Sequence, residues 1–141
     1  MKIDGRLDQI ERIGRFIQDA AQDAGFDEME SYACELAVCE ACENIILHGY
    51  GDDSTGEIEV TVQTEPNNIT IDLWDDAPPF DPANCLTKPN RSIDNPPVGG
   101  LGLVIIHKVM DDVEYHRREG RNQLSMRRSC KSPAQAGYEL P

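Results

Sequence analysis

Glu40-Ala-Cys-Glu-Asn44-Ile-Ile-Leu-His48-Gly-Tyr50 closes the most apolar helical run of the chain, and the rest is read outward from it. At about 100° per residue, Glu40 and Asn44 lie one turn apart on one helix face, which they share with Ala33, Leu36, Ala37 and Leu47. A carboxylate and an amide on a stripe of small and aliphatic side chains cost on the order of a few kcal/mol or more if buried unpaired. They must therefore face something polar, either backbone groups of a neighbouring loop or a ligand. For the pair, followed by His48-Gly49-Tyr50, a ligand is the expectation. An Asn carbonyl oxygen is a neutral, hard donor suited to Mg²⁺, and a Glu one turn away can take a proton from a hydroxyl or water. The spacing fits metal-assisted phosphoryl chemistry.

Upstream, Met1 to Gly5 is a short extended start. From Leu7 the apolar positions Leu7, Ile10, Ile13, Ile17, Ala20 or Ala21, and Ala24 recur every three or four residues, with Gly25 as a stop, and predict an amphipathic helix. Asp27-Glu28 opens a second helix with negative charge at its amino end. Its run from Met29 to Leu47 is apolar over most of its circumference, which predicts a central, buried helix. The turn-rich stretch from Gly49 to Gly56 ends it.

Downstream the period changes from helical to alternating. Glu57 to Gln63 and Ile69 to Trp74 alternate polar and apolar around the turn Glu65-Pro-Asn-Asn68, and predict an antiparallel hairpin with one buried face. Asp75-Asp-Ala-Pro-Pro-Phe-Asp-Pro82 follows, two carboxylates at a strand end running into a Pro-rich turn. The stretch from Ala83 to Val98 carries no helix or strand pattern and reads as a lid or binding loop, with Lys88 and Arg91 as scarce cations. Gly99-Gly100-Leu101-Gly102 then opens the apolar run Leu103 to Met110. Backbone N–H groups at a helix start, cleared of side chains by glycine, form a phosphate cradle. Val113 to Arg117 and Gln123 to Arg127 predict a closing hairpin around Glu119-Gly-Arg-Asn122, and the tail from Ser129 onward is expected to be mobile. The order helix, helix, hairpin, lid, helix, hairpin predicts a two-layer α/β sandwich with helices on one face of a mixed, mainly antiparallel sheet.

The 141 residues, 39% of them hydrophobic, are enough for one domain with a single core. A net charge of −13 argues against direct nucleic-acid binding, which needs a basic face. There is no run of about 18 apolar residues and no basic-then-apolar leader, so a cytoplasmic protein without a membrane segment is expected. The five cysteines (Cys34, Cys39, Cys42, Cys85, Cys130) fit a reducing compartment. Cys39 and Cys42 form a CxxC, but no second CxxC or His pair completes a zinc set, and free thiols in such a run behave mainly as small hydrophobes.

Taken together, Glu40-xxx-Asn44-xxx-His48, Asp75 to Pro82 and Gly99-Gly-Leu-Gly-Leu103 resemble, in content, order and spacing, the N box and the two glycine boxes of the Bergerat-fold ATPases. The length and the Pro-Phe-Asp-Pro element are most similar to the anti-sigma-factor serine kinases of bacterial partner-switching pathways. The resemblance implies an ATP-binding domain over residues 1–128 and a tail over 129–141. It further implies that Glu40 is the general base, Asn44 the Mg²⁺ ligand and Asp75 the acceptor for the adenine amino group. Gly99, Gly100 and Gly102 would let backbone approach the phosphates, with Leu101 and Leu103 beside them, and Ala77 and Phe80 contribute from the first glycine box. Two positions depart from the pattern. Ala77 stands where the first glycine box usually has Gly, which is tolerated if the backbone there keeps φ negative. Pro97 and Val98 stand where a basic residue often precedes the second box, so Lys88 or Arg91 of the lid is the substitute cation.

The implied function is an ATP- and Mg²⁺-dependent kinase that phosphorylates a serine on an anti-anti-sigma (STAS-type) protein and binds a sigma factor or similar regulator, possible as a homodimer. The alternative is a nucleotide-dependent partner-binding module without turnover.

Overall fold

The computed structural model describes residues 1–51, 56–79 and 100–129, and among these described residues three helices lie on one face of a five-stranded sheet. A single turn of 3-10 helix, Leu7–Gln9, leads into α1 (Ile10–Asp23), whose Ile13, Gly14, Ile17 and Ala21 are buried. The helix ends where expected, because Gly25 adopts φ +101, a conformation that favours glycine. Asp27 then caps α2 (Glu28–Asn44) by accepting a hydrogen bond from the Glu30 amide at 2.7 Å.

Contrary to the expectation of burial over most of its circumference, α2 buries one face only. Cys34, Ala37, Val38, Ala41, Cys42 and Asn44 point inward, whereas Met29 is 82% exposed and Tyr32 and Leu47 are also exposed. The helix lies on the sheet rather than within a bundle, so its far side faces away from the core. Nor does it stop near Leu47. The backbone widens into a π-helical turn, Ile45–Tyr50, closed by the Gly51 amide on the Ile46 carbonyl at 2.9 Å. That turn leaves His48 exposed and carries Tyr50 back toward the sheet.

The strands are β1 (Lys2–Asp4), β2 (Glu57–Glu65), β3 (Asn68–Asp75), β4 (Asp112–Arg118) and β5 (Arg121–Ser129), with α3 (Gly100–Val109) between β3 and β4. Their order is β1-β2-β3-β5-β4, and every pairing among the described residues is antiparallel, so the expected mixed character is not seen there. The extended start joins the sheet as β1, pairing Ile3 with Ile58. Two hairpins set the registers. Asn67 at φ 63 turns β2 into β3, and the pair Glu119 (φ 50) and Gly120 (φ 79) turns β4 into β5 in the tight two-residue form.

Strand alternation sends Ile58 and Val60, Ile69, Ile71 and Leu73, and Leu124 and Met126 under the helices, where they meet Ile13, Ile17, Val38, Leu103 and Ile106. Each such side chain fully buried contributes about 1.5–3 kcal/mol. Two polar residues share the inward parity of these strands. Asp75 follows Leu73 on β3 and Asn122 precedes Leu124 on β5, and the register sets them directly opposite one another. The core is thus apolar up to one end of the sheet, where it becomes a polar pair. At the other end, the Arg128 guanidinium bonds the Glu30 carboxylate and the Val109 carbonyl, tying β5 to the start of α2 and the end of α3. Cys85 and residues 130–141 lie outside the described residues.

Candidate functional site

The end of the sheet at Asp75 and the carboxyl-terminal half of α2 enclose one apolar recess. Ala41 and Asn44 line it from α2, Ile45 and Gly49 from the π-helical turn, Asp75 from the end of β3, Ala77 and Pro78 from the loop after it, Ile106 from α3, and Tyr115, Asn122 and Leu124 from the closing hairpin. Asp75 is 4% exposed, and its carboxyl is pushed above its ordinary range by burial, partly offset by hydrogen bonds from Asn122 and the Ala77 amide. One of its oxygens, Oδ1, accepts both bonds, each at 2.8 Å. The other makes no hydrogen bond among the described residues.

At the opposite side of the recess, Glu40 and Asn44 sit one turn apart on α2, as their spacing requires, and α3 begins beside them. Gly102 is the point of closest approach. A Cβ there would lie 2.6 Å from Glu40 Oε2 and 3.7 Å from Asn44 Nδ2, so only glycine lets α3 come this near the pair. Burial, and then the neighbouring Glu43 charge, raise the Glu40 carboxyl above its usual range. Asn44 is 7% exposed, and its Nδ2 finds no partner among the described residues. An unpaired buried amide costs about 1–3 kcal/mol, which is the mark of a group built to meet something polar. A hard amide oxygen on this side chain, beside a carboxylate, fits a hydrated Mg²⁺ held jointly with phosphates.

Ala77 is buried with negative φ, so its methyl group needs no glycine conformation. The methyl group is accommodated by Gly49, where a Cβ would come within 2.8 Å of it. Leu103 is buried in the core next to the glycine-rich start of α3, which begins at Gly100 and takes in Leu101 in its first turn. Phe80, Lys88, Arg91 and Gly99 lie outside the described residues. Cys39 is held to about 11 by burial and by Glu35, Glu40 and Glu43, and burial pushes the enclosed Cys42 up further, so neither is a reactive thiolate at neutral pH.

Four residues of the site carry roles that the sequence did not assign, Tyr50 among them although it closes the stretch Glu40 to Tyr50. Asn122 donates to Asp75 and to the carbonyls of Ala77 and Pro78, and its own oxygen accepts from Tyr115 and Arg117. Tyr50 donates its hydroxyl to the Glu57 carbonyl at 2.6 Å and accepts from the Asp76 amide at 2.9 Å, pinning the loop that follows Asp75. Asn122 had a legible signal, as the polar exception at an inward position of an otherwise alternating strand. Tyr50, Tyr115 and Arg117 had none, because their roles depend on register and on the π-helical turn.

Residues 3–128 match the histidine kinase-like ATPase domain. The chain is 30% identical over 129 residues to the serine-protein kinase RsbW of Bacillus cereus, spanning 88% of this chain and 80% of that protein. The chain belongs to the anti-sigma-factor serine kinases of the Bergerat-fold ATPase superfamily. An RsbW of Bacillus anthracis is equally similar. Among solved structures, the RsbU and RsbW domains of a Mycobacterium tuberculosis protein superpose with a TM-score of 0.59 at 14% identity, covering 92% of this chain and 32% of that one. The catalytic domain of histidine kinase ThkA gives 0.54 at 13% identity, over 92% and 95%. These two likenesses establish the shared fold. Among the described residues no helix is long and apolar enough to cross a membrane.

Proposed function

We propose that this protein is an ATP- and Mg²⁺-dependent serine kinase whose substrate is an anti-anti-sigma protein of the STAS type, and which also binds a sigma factor or similar regulator. The reading rests on one observation above the others. A buried carboxylate with one unused oxygen, Asp75, and a carboxylate–amide pair, Glu40 and Asn44, border the same part of the fold, and glycine at 102 brings a helix start against that pair. Asp75 would accept the adenine amino group, and the backbone from Gly99 to Gly102 would receive the phosphates. The similarity to RsbW kinases supports the same assignment of substrate class.

In the proposed step, the substrate serine attacks the γ-phosphorus in line. Glu40 takes the hydroxyl proton as the new O–P bond forms and the bond to the β-phosphate oxygen breaks, leaving ADP. The raised carboxyl of Glu40 makes it a better proton acceptor than an exposed glutamate. Asn44 would hold Mg²⁺ through Oδ1, and the ion would neutralise charge on the phosphates. Most of the acceleration comes from positioning, since there is little covalent chemistry for the protein to perform.

A second reading, a nucleotide-dependent binding module without turnover, is favoured by Pro97 and Val98, which offer no cation next to the second glycine box. Calorimetric titration with ATP, with and without Mg²⁺, beside Asp75→Asn and Asn44→Ala, tests the site. Binding that Mg²⁺ strengthens in the wild type, weakens in Asp75→Asn and loses its Mg²⁺ dependence in Asn44→Ala is the expected result. Absence of binding to the folded wild type would defeat both readings. Transfer of labelled phosphate to a STAS-type partner then separates kinase from module.

A further inference from the structure

Asn122 is 5% exposed, and the chemistry of its neighbours fixes which way its amide points. Arg117 can only donate, and its Nη1 lies 3.0 Å from Asn122 Oδ1. The carbonyls of Ala77 and Pro78 can only accept, and they lie 3.0 and 3.2 Å from Nδ2. Turning the amide over would set oxygen against two carbonyls and a carboxylate, and nitrogen against a guanidinium. Tyr115 adds a hydroxyl bond to the same Oδ1, and Arg117 also holds the Ala77 carbonyl at 2.8 Å. The amide is therefore a fixed donor toward Asp75.

Its effect on Asp75 is specific to one oxygen. Oδ1 receives both the Asn122 and the Ala77 N–H, which use its acceptor capacity and favour the ionised carboxyl. What remains is the second oxygen, an acceptor beside the apolar walls of Ala41, Ile45, Ala77, Ile106 and Leu124. A purine bearing a 6-amino group offers this oxygen a donor. A 6-oxo purine sets acceptor against acceptor, and binding it would require a proton on Asp75, which burial favours and the two N–H bonds to Oδ1 oppose.

We propose that Asn122, locked by Arg117 and Tyr115, is a specificity-determining residue that makes the base pocket select 6-amino over 6-oxo purines. This rests on the nucleotide reading given above, and the two can fail separately. The experiment compares the affinities of ATP and ITP, which differ at position 6, for the wild type and for Asn122→Asp in Mg²⁺ buffer. The wild type should prefer ATP by at least about tenfold. Asn122→Asp keeps an acceptor for Arg117 and Tyr115 but sets a second carboxyl against Asp75, whose negative charge raises the proton affinity of Asp75, so that its free oxygen can carry a proton and donate it to a 6-oxo group. The ATP-to-ITP preference should collapse toward unity or reverse.

Equal loss of both nucleotides in the variant, with the ratio unchanged, would reduce Asn122 to a structural residue and overturn the inference. A wild type that binds both equally would overturn it without any variant. A folded wild type that binds neither would overturn the nucleotide reading and this inference with it. If Asn122→Asp does not give a cooperative melt, Asn122→Ser supplies the same ratio. It keeps one hydroxyl that can donate or accept, and should give a preference between those of wild type and unity; an unchanged preference there would overturn the proposal.

Discussion

The two ends of the recess are built on opposite principles. At the Asp75 end almost every polar atom is used: Asn122 serves three acceptors and accepts from two donors, and Tyr50 bonds the neighbouring backbone on both sides. At the Glu40 end, Asn44 Nδ2 has no partner among the described residues, and space is created only by the missing Cβ of Gly102. A satisfied network resists displacement and suits recognition of one fixed shape. An unsatisfied, sterically open pair suits groups that arrive with their own charge and change during a reaction. The difference follows from where each end lives. The first is strand ends joined by register, and the second is the face of one helix met by the start of another.

The largest way to break the comparison is to remove function from one end without touching the other. Glu40→Gln keeps the shape and loses the base, and should lower phosphate transfer to the partner by about 10²–10⁴-fold while ATP affinity stays near that of the wild type. Labelled-phosphate transfer and calorimetry on the same preparation check both halves, and unchanged transfer would remove Glu40 from its role. Gly102→Ala attacks the same end through packing. Its methyl group would enter the space of Glu40 Oε2, and since a misplacement of about 1 Å can cost about 10²-fold, transfer should fall by up to that amount with the fold retained. A Gly102→Ala enzyme as active as wild type would mean that the carboxylate has room to move away and still work.

At the satisfied end the expected cost is in stability. Gly49→Ala would bring a methyl group within 2.8 Å of the Ala77 Cβ in a region with little freedom to yield, and overpacking of this kind costs about 1–3 kcal/mol. Chemical denaturation would measure it. The double variant Gly49→Ala, Ala77→Gly should recover most of the loss, because the two positions then exchange their side chains. Recovery would show that positions 49 and 77 compensate one another across the contact; its failure would locate the strain elsewhere.

How much of this was legible beforehand follows the same division. Glu40 and Asn44 belong to one helix, where spacing alone fixes relative position, so the open end is readable from a single stretch. The hairpins were equally readable from alternation, and β2, β3, β4 and β5 fall over the predicted runs. Asp75 was visible as a carboxylate at a strand end, but its partner Asn122 is 47 residues away, and their contact exists only through the β3–β5 register. Strand parity offered half of that information, since Asn122 shares the inward face with Leu124 and Met126. Tyr50 was hidden by the π-helical turn, which no periodicity announces, and the exposure of Met29 and Tyr32 was missed because an apolar circumference does not say how many sides have neighbours.

The smallest effect tests whether the open end is tuned as well as open. Burial and the Glu43 charge both raise the Glu40 carboxyl, with burial the larger cause. A general base works only when ionised, so transfer should be full above the raised value and fall as pH drops through it. Glu43→Gln removes the like charge and leaves the burial, so the acid limb of the pH–rate profile should move to lower pH without disappearing. Glu43 is exposed, and the shift should shrink further as salt screens the pair. A limb that stays in place at low salt would assign the whole rise to burial, and one that moves upward would show that a group other than Glu40 sets it.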